Sequence, residues 1–182
     1  MGYRLTKIYT RTGDDGTTGS GDGRRVAKDS ARIAAYGDLD ELNCLLGLLL
    51  THELPGNIRD GLITLQHWLF ELGGDLCIAG RDSLTDVQVG WLEQRLDELN
   101  ETLPPLTEFV LPGGSPATAT CHLARSVCRR AERSLVTLRQ AEPVPQAALA
   151  FVNRLSDYLF VVARVLGRSG GQGEVLWQPG RR

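Results

Sequence analysis

No Cys-x-x-Cys pair occurs among the four cysteines, which argues against a zinc ribbon or a dithiol redox centre and leaves reduced, buried thiols as the expected state. None of the three histidines has a glutamate three residues before it, so the Glu-x-x-His ligands of a di-iron bundle are missing. The N-terminus lacks the apolar core of a secretory signal, and the greasiest run, Leu45 to Leu50, is far shorter than the ~18 residues that span a bilayer. A net charge of -2 gives no general attraction to nucleic acid or to an anionic membrane, so any polyanion must be held by a local cluster. These absences leave an expected cytosolic chain of 182 residues, long enough to bury one domain's core without disulfides or a structural metal.

What is present is periodic. After a glycine-rich stretch over 1–29, five segments carry helical signals, and apolar residues recur at spacings of four and three, the seam of a packed bundle. The second, about Pro55 to Ala79, shows it with Ile58, Leu62, Leu65, Leu69, Leu72 and Leu76. The last, about Pro145 to Arg168, repeats it with Ala148, Val152, Leu155, Leu159, Val162 and Leu166. The third places Leu92, Leu96, Leu99 and Leu103 after a Thr85 suited to cap its start. The first begins near Asp29 or Ser30 and presents Leu39, Leu42, Leu45, Leu46 and Leu49. The fourth follows Pro112-Gly113-Gly114, with Ser115 as N-cap and Pro116 at the first helical position, where its missing N–H costs nothing. No β-rich alternating run competes, so the expected fold is all-α: a five-helix bundle over 30–168, a glycine-rich N-terminal loop and a tail over 169–182.

A bundle decides no function, so the polar residues must. In the loop, Thr10, Arg11, Thr12, Gly13, Thr17, Thr18 and Gly19 are followed by Arg24, Arg25 and Lys28. Glycines admit backbone N–H groups to phosphate oxygens, hydroxyls add donors, and the cations supply charge-assisted bonds. No Gly-Lys-Ser/Thr ending makes it a Walker loop. On composition alone the stretch suits a polyphosphate cradle and a disordered polar tail equally. On the fourth helix, Arg125, Arg129 and Glu132 share a stripe at i, i+4 and i+7, with Arg130 and Arg133 beside them, while Leu123 and Val127 are expected to turn toward the core. Four arginines within nine residues repel one another unless anions or carboxylates lie near, and their forks suit phosphate. On the last helix, Asn153, Asp157, Phe160 and Arg164 form a stripe apart from the seam. The acidic run Asp38, Asp40 and Glu41 in the first helix suits a metal or partners for arginines. No side-chain nucleophile stands out, which fits a reaction whose nucleophile belongs to a ligand.

The strings TRTGDDGTTG, YGDLDELN, FVLPGGSP, ARSVCRRAER and NRLSDYLFVVAR, in this order along nearly the whole chain, resemble the PduO-type ATP:cob(I)alamin adenosyltransferases. The resemblance implies a homotrimer that binds ATP between neighbouring subunits, with the corrin of cobalamin beside it. It implies that Thr10, Arg11, Thr12, Gly13, Thr18, Gly19 and Lys28 hold the triphosphate, with Mg2+ bridging its oxygens and K+ as a further cation. Arg129, Arg130, Glu132, Arg133 and Asn153 would complete the nucleotide site. Asp40 and Arg125 match a pair near the subunit boundary and the cobalamin, and Phe109 matches an aromatic residue against the lower face of the corrin. A reductase and an adenosylcobalamin-dependent enzyme are the implied partners. Ser20 departs from the resembled pattern, standing where many members have an apolar residue. A kinase using the same loop, or a non-catalytic nucleotide or cobalamin carrier, are the rival readings.

Overall fold

A computed structural model of the chain describes residues 9–21, 23–78, 80–169, 171 and 173–181. Residues 1–8 of the glycine-rich stretch and the expected end of the second helix at Ala79 lie outside the described residues. Five helices form: α1 (Ala31–Leu49), α2 (Gly56–Cys77), α3 (Asp86–Asn100), α4 (Pro116–Arg139) and α5 (Gln146–Ser169). Helix α4 packs against both α1 and α5, α2 lies along α1, and α3 lies along α5. No helix among the described residues is long and apolar enough to cross a membrane.

The caps follow the sequence signals. Thr85 accepts from the Val87 amide and exchanges bonds with Gln88 in a capping box, and Ser115 accepts from the Thr118 amide with Pro116 in the first turn. Helix α3 ends at Asn100, so Leu103, expected within it, packs half-buried from the following turn. Along α5 the buried set extends all round the helix in its C-terminal half, because α3, α4 and the chain beyond Ser169 cover it on several sides. Trp68 of α2, Trp91 of α3, and Phe151 and Tyr158 of α5 make an aromatic cluster, with Trp68 and Trp91 edge-on at 5.0 Å between centroids.

Three expectations change. The stretch before α1 contains a small antiparallel ribbon, β1 (Thr17–Gly19) against β2 (Arg25–Ala27), that no apolar alternation announced. Leu123 is 53% exposed while Val127 is buried, because the α4 seam runs through Cys121, Ala124, Cys128, Ala131 and Leu135 and position 123 lies off it. Of the thiols, Cys121 and Cys128 are buried and donate to the Leu159 and Val152 carbonyls, but Cys77 is half-buried and Cys44 exposed. Burial pushes the Cys121 thiol up to about 12, so it stays protonated.

The ribbon is tied to the bundle at the end of α2, where helix carbonyls lack intrahelical partners. The Gly21 amide and the Ser20 hydroxyl both donate to the Cys77 carbonyl, at 2.9 and 3.1 Å. A Cβ on Gly21 would stand 2.7 Å from that oxygen, so the docking demands glycine there. Gly21→Ala is therefore expected to loosen the ribbon without unfolding the bundle. Losing about 1–2 kcal/mol of local stability would raise amide hydrogen exchange over 16–28 about 5–30-fold while the helical melting midpoint stays put. Unchanged exchange in the ribbon would show that the Cys77 contact does not hold it.

Candidate active site

The turn leading into β1 is built to present backbone and hydroxyl groups. Arg11 has φ 61°, a left-handed conformation that costs a residue with a Cβ about 1–2 kcal/mol. Such outliers cluster at ligand clamps. Its guanidinium lies over the Tyr9 ring, and the hydroxyls of Thr10 and Thr12 bond to each other at 2.8 Å. Asp15 accepts from the Thr17 amide and hydroxyl, which, with Arg25 nearby, holds its carboxyl below the usual range. Arg25 also reaches the Thr12 carbonyl, closing the turn. Lys28 donates one of its three ammonium hydrogens to the Gly13 carbonyl at 2.7 Å, which leaves two for a ligand. A Cβ on Gly13 would crowd the Thr17 carbonyl at 3.1 Å and the Lys28 ammonium at 3.2 Å. Thr18 and Gly19 lie on β1 opposite Val26 and Arg25.

A second group forms on the far flank of the bundle. Arg125 and Arg129 of α4 face Ser156, Asp157 and Phe160 of α5 across a depression of about 380 Å³ whose wall includes Asn100 and Leu106. One turn further along, Asn153 donates to Glu132 at 2.9 Å and accepts from Arg154, which also pairs with Glu93. Arg133, exposed, donates to the Arg129 carbonyl. Arg125 has a buried Nε without a hydrogen-bond partner among the described residues, as does Nδ1 of His122 in the preceding turn. A buried donor on a charged group left unmet costs about 1–3 kcal/mol or more, which marks Arg125 as a side chain suited to an anionic partner. Burial and the charge of Arg125 lower the His122 pKa, so the imidazole is neutral at pH 7.

The connection 101–115 brings Phe109 to the same flank, 75% exposed. It lines a second depression of about 530 Å³ with Leu106, Thr107, Glu108, Val110, Arg125 and Phe160. The two depressions share Leu106, Arg125 and Phe160, so an arginine-lined recess runs directly into one with an exposed aromatic wall.

Two of the expected site residues stand elsewhere. Arg130 turns to the other side of α4, where it pairs with Asp38 and Glu41 of α1, and Ser134 one turn on donates to Asp38 at 2.5 Å. The acidic run thus supplies partners for an arginine; no cluster of three or more His, Cys, Asp or Glu side chains that could hold a metal is found among the described residues. Asp40 lies on the α1/α2 flank in a recess of about 220 Å³ with Tyr36, Asn43, Phe70, Cys77 and Arg81, and within the chain it makes no ion pair with Arg125 among the described residues. The docked ribbon shares this recess's Cys77 end. Loop and arginine stripe therefore occupy different flanks of one chain.

Arg164 corrects the sequence reading most. Expected on an exposed polar stripe, it is 4% exposed and donates to Glu174 at 2.5 Å and to the Pro104 carbonyl at 2.8 Å. Its position within Val161, Val162, Ala163 and Val165 was the available signal, since an arginine amid apolar residues needs a buried partner. Glu174, among glycines and polar residues, gave none. Nor did the anchoring role of Ser20 and Gly21.

A family model described as cobalamin adenosyltransferase matches residues 8–166. A cobalamin adenosyltransferase of Cupriavidus metallidurans is 56% identical over 179 residues, covering 98% of this chain and 97% of the relative. A corrinoid adenosyltransferase of Bacillus subtilis is 43% identical over 180 residues, with 94% and 92% covered. Among solved structures, a variant PduO-type ATP:corrinoid adenosyltransferase from Lactobacillus reuteri complexed with cobalamin and ATP matches with a TM-score of 0.91 at 33% identity, covering 96% of this chain and 98% of that one. Another variant of that enzyme, complexed with ATP, gives 0.89 at 34% identity over 94% and 100%. Because these matches run from the glycine-rich loop into the fifth helix, the chain belongs to the cobalamin adenosyltransferase family.

Proposed function

We propose that the chain transfers the 5'-deoxyadenosyl group of ATP to the cobalt of cob(I)alamin, releasing triphosphate. The observation that carries this reading is the pair of adjoining depressions joined at Arg125: one offers guanidinium groups suited to an anion, the other an exposed aromatic wall suited to a flat, apolar-faced substrate. Cob(I)alamin is itself a strong nucleophile, so the protein needs no general base. It must hold the 5' carbon within reach of cobalt and offset the charge that gathers on the departing triphosphate. Arg129 and Arg133, with the loop amides, Thr10, Thr12, Thr18 and Lys28, would serve that second task, while Glu132 and Asn153 would orient the nucleoside. Mg2+ and K+ would accompany the triphosphate and offset part of its charge.

Loop and arginine stripe lie on different flanks, so a complete nucleotide site needs the loop of one subunit beside the α4/α5 flank of the next. A heterologous contact of this kind forms a closed ring when its rotation divides the circle evenly, and the homotrimer is the ring proposed. Asp40 of one subunit would then supply the acceptor that Arg125 of its neighbour lacks. Before transfer, Co(II) must be reduced, and an axial ligand raises the energy of the orbital that accepts the electron. Phe109 is proposed to occupy that axial side and keep water away. A reductase upstream and an adenosylcobalamin-dependent enzyme downstream are the corresponding partners.

Arg129→Ala is expected to lower kcat/KM about 100-fold or more, the scale of losing one group that stabilises transition-state charge. Its helical melt should be unchanged, because the side chain is exposed and outside the seams. The assay follows the corrin spectrum and identifies the phosphate product, where ADP in place of triphosphate would refute adenosyl transfer.

Phe109→Ala should slow adenosylation from cob(II)alamin with a flavin-type reductant by about 10-fold or more, yet stay within about 3-fold of wild type from chemically reduced cob(I)alamin. Equal impairment from both cobalt states would remove its redox role.

Wild type should sediment as a trimer. Lys28→Ala and Arg129→Ala subunits, each inactive alone, should regain about a quarter of wild-type sites when co-assembled at equal amounts, because random assortment halves each contribution. No recovery from mixed trimers would place both residues in a site built by one subunit.

A further inference from the structure

Phe109 stands on a connection without regular structure, and its recorded ring contact among the described residues is with Trp177, edge-on at 6.3 Å between centroids. The chain after α5 runs antiparallel to this connection. The Leu111 amide donates to the Val175 carbonyl at 2.8 Å, the Trp177 amide donates to the Phe109 carbonyl at 2.7 Å, and Val110 bridges Leu176 between them. Gly171 and Gly173, with φ of 72° and 69°, reverse the chain after α5 and bring Glu174 back alongside Arg164. One guanidinium then holds both segments: Arg164 donates through Nε to Glu174 and through Nη2 to the Pro104 carbonyl. Both partners of the pair are at least nine-tenths buried, and Arg168 adds a looser contact to Glu174 at 3.8 Å.

We infer that this C-terminal segment sets where Phe109 stands, with Glu174 as its buried anchor and Trp177 as the contact on the ring. Both are positioning residues for the reduction step, and the inference rests on the redox role proposed for Phe109. A buried ion pair is costly to break from one side only, because the remaining charge keeps its desolvation penalty without its partner. The segment therefore stays docked as long as Arg164 stays buried. Besides its contacts with Arg164 and Arg168, the segment bonds to the 109–111 stretch and packs Trp177 on Phe109, so releasing it leaves the leucine seams intact and should affect the step that needs Phe109.

The experiment uses the full-length protein with ATP and compares Trp177→Ala, Trp177→Phe, Glu174→Gln and the double variant Phe109→Ala/Trp177→Ala. Rates are measured from cob(II)alamin with a flavin reductant and from chemically reduced cob(I)alamin, and the electron paramagnetic resonance of bound cob(II)alamin reports how much has lost its axial ligand. Trp177→Ala and Glu174→Gln should each slow the cob(II)alamin reaction about 5–10-fold, reduce the axial-ligand-free signal, and leave the cob(I)alamin rate and the KM for ATP within about 2-fold. Trp177→Phe, which keeps an aromatic edge, should recover most of the rate. The double variant should be no slower than Phe109→Ala alone, since both act through one ring. Equal loss from both cobalt states, additive losses in the double variant, or wild-type behaviour of Trp177→Ala would each overturn the inference. If Glu174→Gln fails to fold, Trp177→Ala, which is exposed and carries no charge, decides alone. A wild type that shows no axial-ligand-free cob(II)alamin would overturn the role of Phe109 together with this inference, and that is read before any variant is made.

Discussion

Helix α4 is gripped on two sides, by α1 and by α5, through a seam of small and branched residues. Cys121, Ala124, Cys128 and Ala131 allow close approach, and Leu135 and Leu138 fill the end of the seam. A helix held on two sides cannot rotate about its axis without emptying both interfaces, so the direction of each remaining side chain is fixed. That constraint sorts the arginines. Arg130 is turned to Asp38 and Glu41, where carboxylates neutralise it, whereas Arg125 and Arg129 are turned to the α5 side, where the buried Nε of Arg125 has no hydrogen-bond partner among the described residues. Four like charges in nine residues are thus separated: Arg130 braces two helices, Arg125 and Arg129 line a recess, and Arg133 is exposed on the Arg129 carbonyl.

Under the proposed shared site, this division gives each chain one half of a nucleotide site on either flank. The ribbon bonds to itself through Arg25, Asp15 and Thr17 and to α2 through Cys77, which rigidifies the presented amides before any ligand arrives. Such ordering in advance reduces what binding must spend on immobilising a loop. On the other flank the Glu132–Asn153–Arg154–Glu93 chain does the same for side chains that would otherwise wander.

The sequence made the helices legible because their apolar residues recur at helical spacing and because Thr85, Ser115 and Pro116 carry local chemistry that marks a start. It made the arginine stripe legible for the same reason, since i, i+4 and i+7 define a face before any partner is known. It set Arg130 about 100° off that stripe but could not say what lay in that direction, because only the neighbouring helix tells which direction is occupied. Leu123 was misplaced by the same ambiguity. Contacts across long separations left least trace: Ser20 to Cys77 spans a hydroxyl and a carbonyl, and a carbonyl is present at every position. Arg164 was the exception, a charge inside an apolar run, yet its partner Glu174 sits in a glycine-rich segment with no period to read.

Docking onto main-chain carbonyls has a consequence for which changes the molecule tolerates. The ribbon reads the oxygen of Cys77, and Arg164 reads the oxygen of Pro104, not their side chains. Replacing either side chain leaves the acceptor where it was. Inserting or deleting one residue within α2 does not: it turns the terminal carbonyl by about 100° and shifts it about 1.5 Å along the axis. Relatives of this chain should therefore vary freely in composition at the end of α2 while keeping its length, and an alignment gap there would mark a different way of holding the loop.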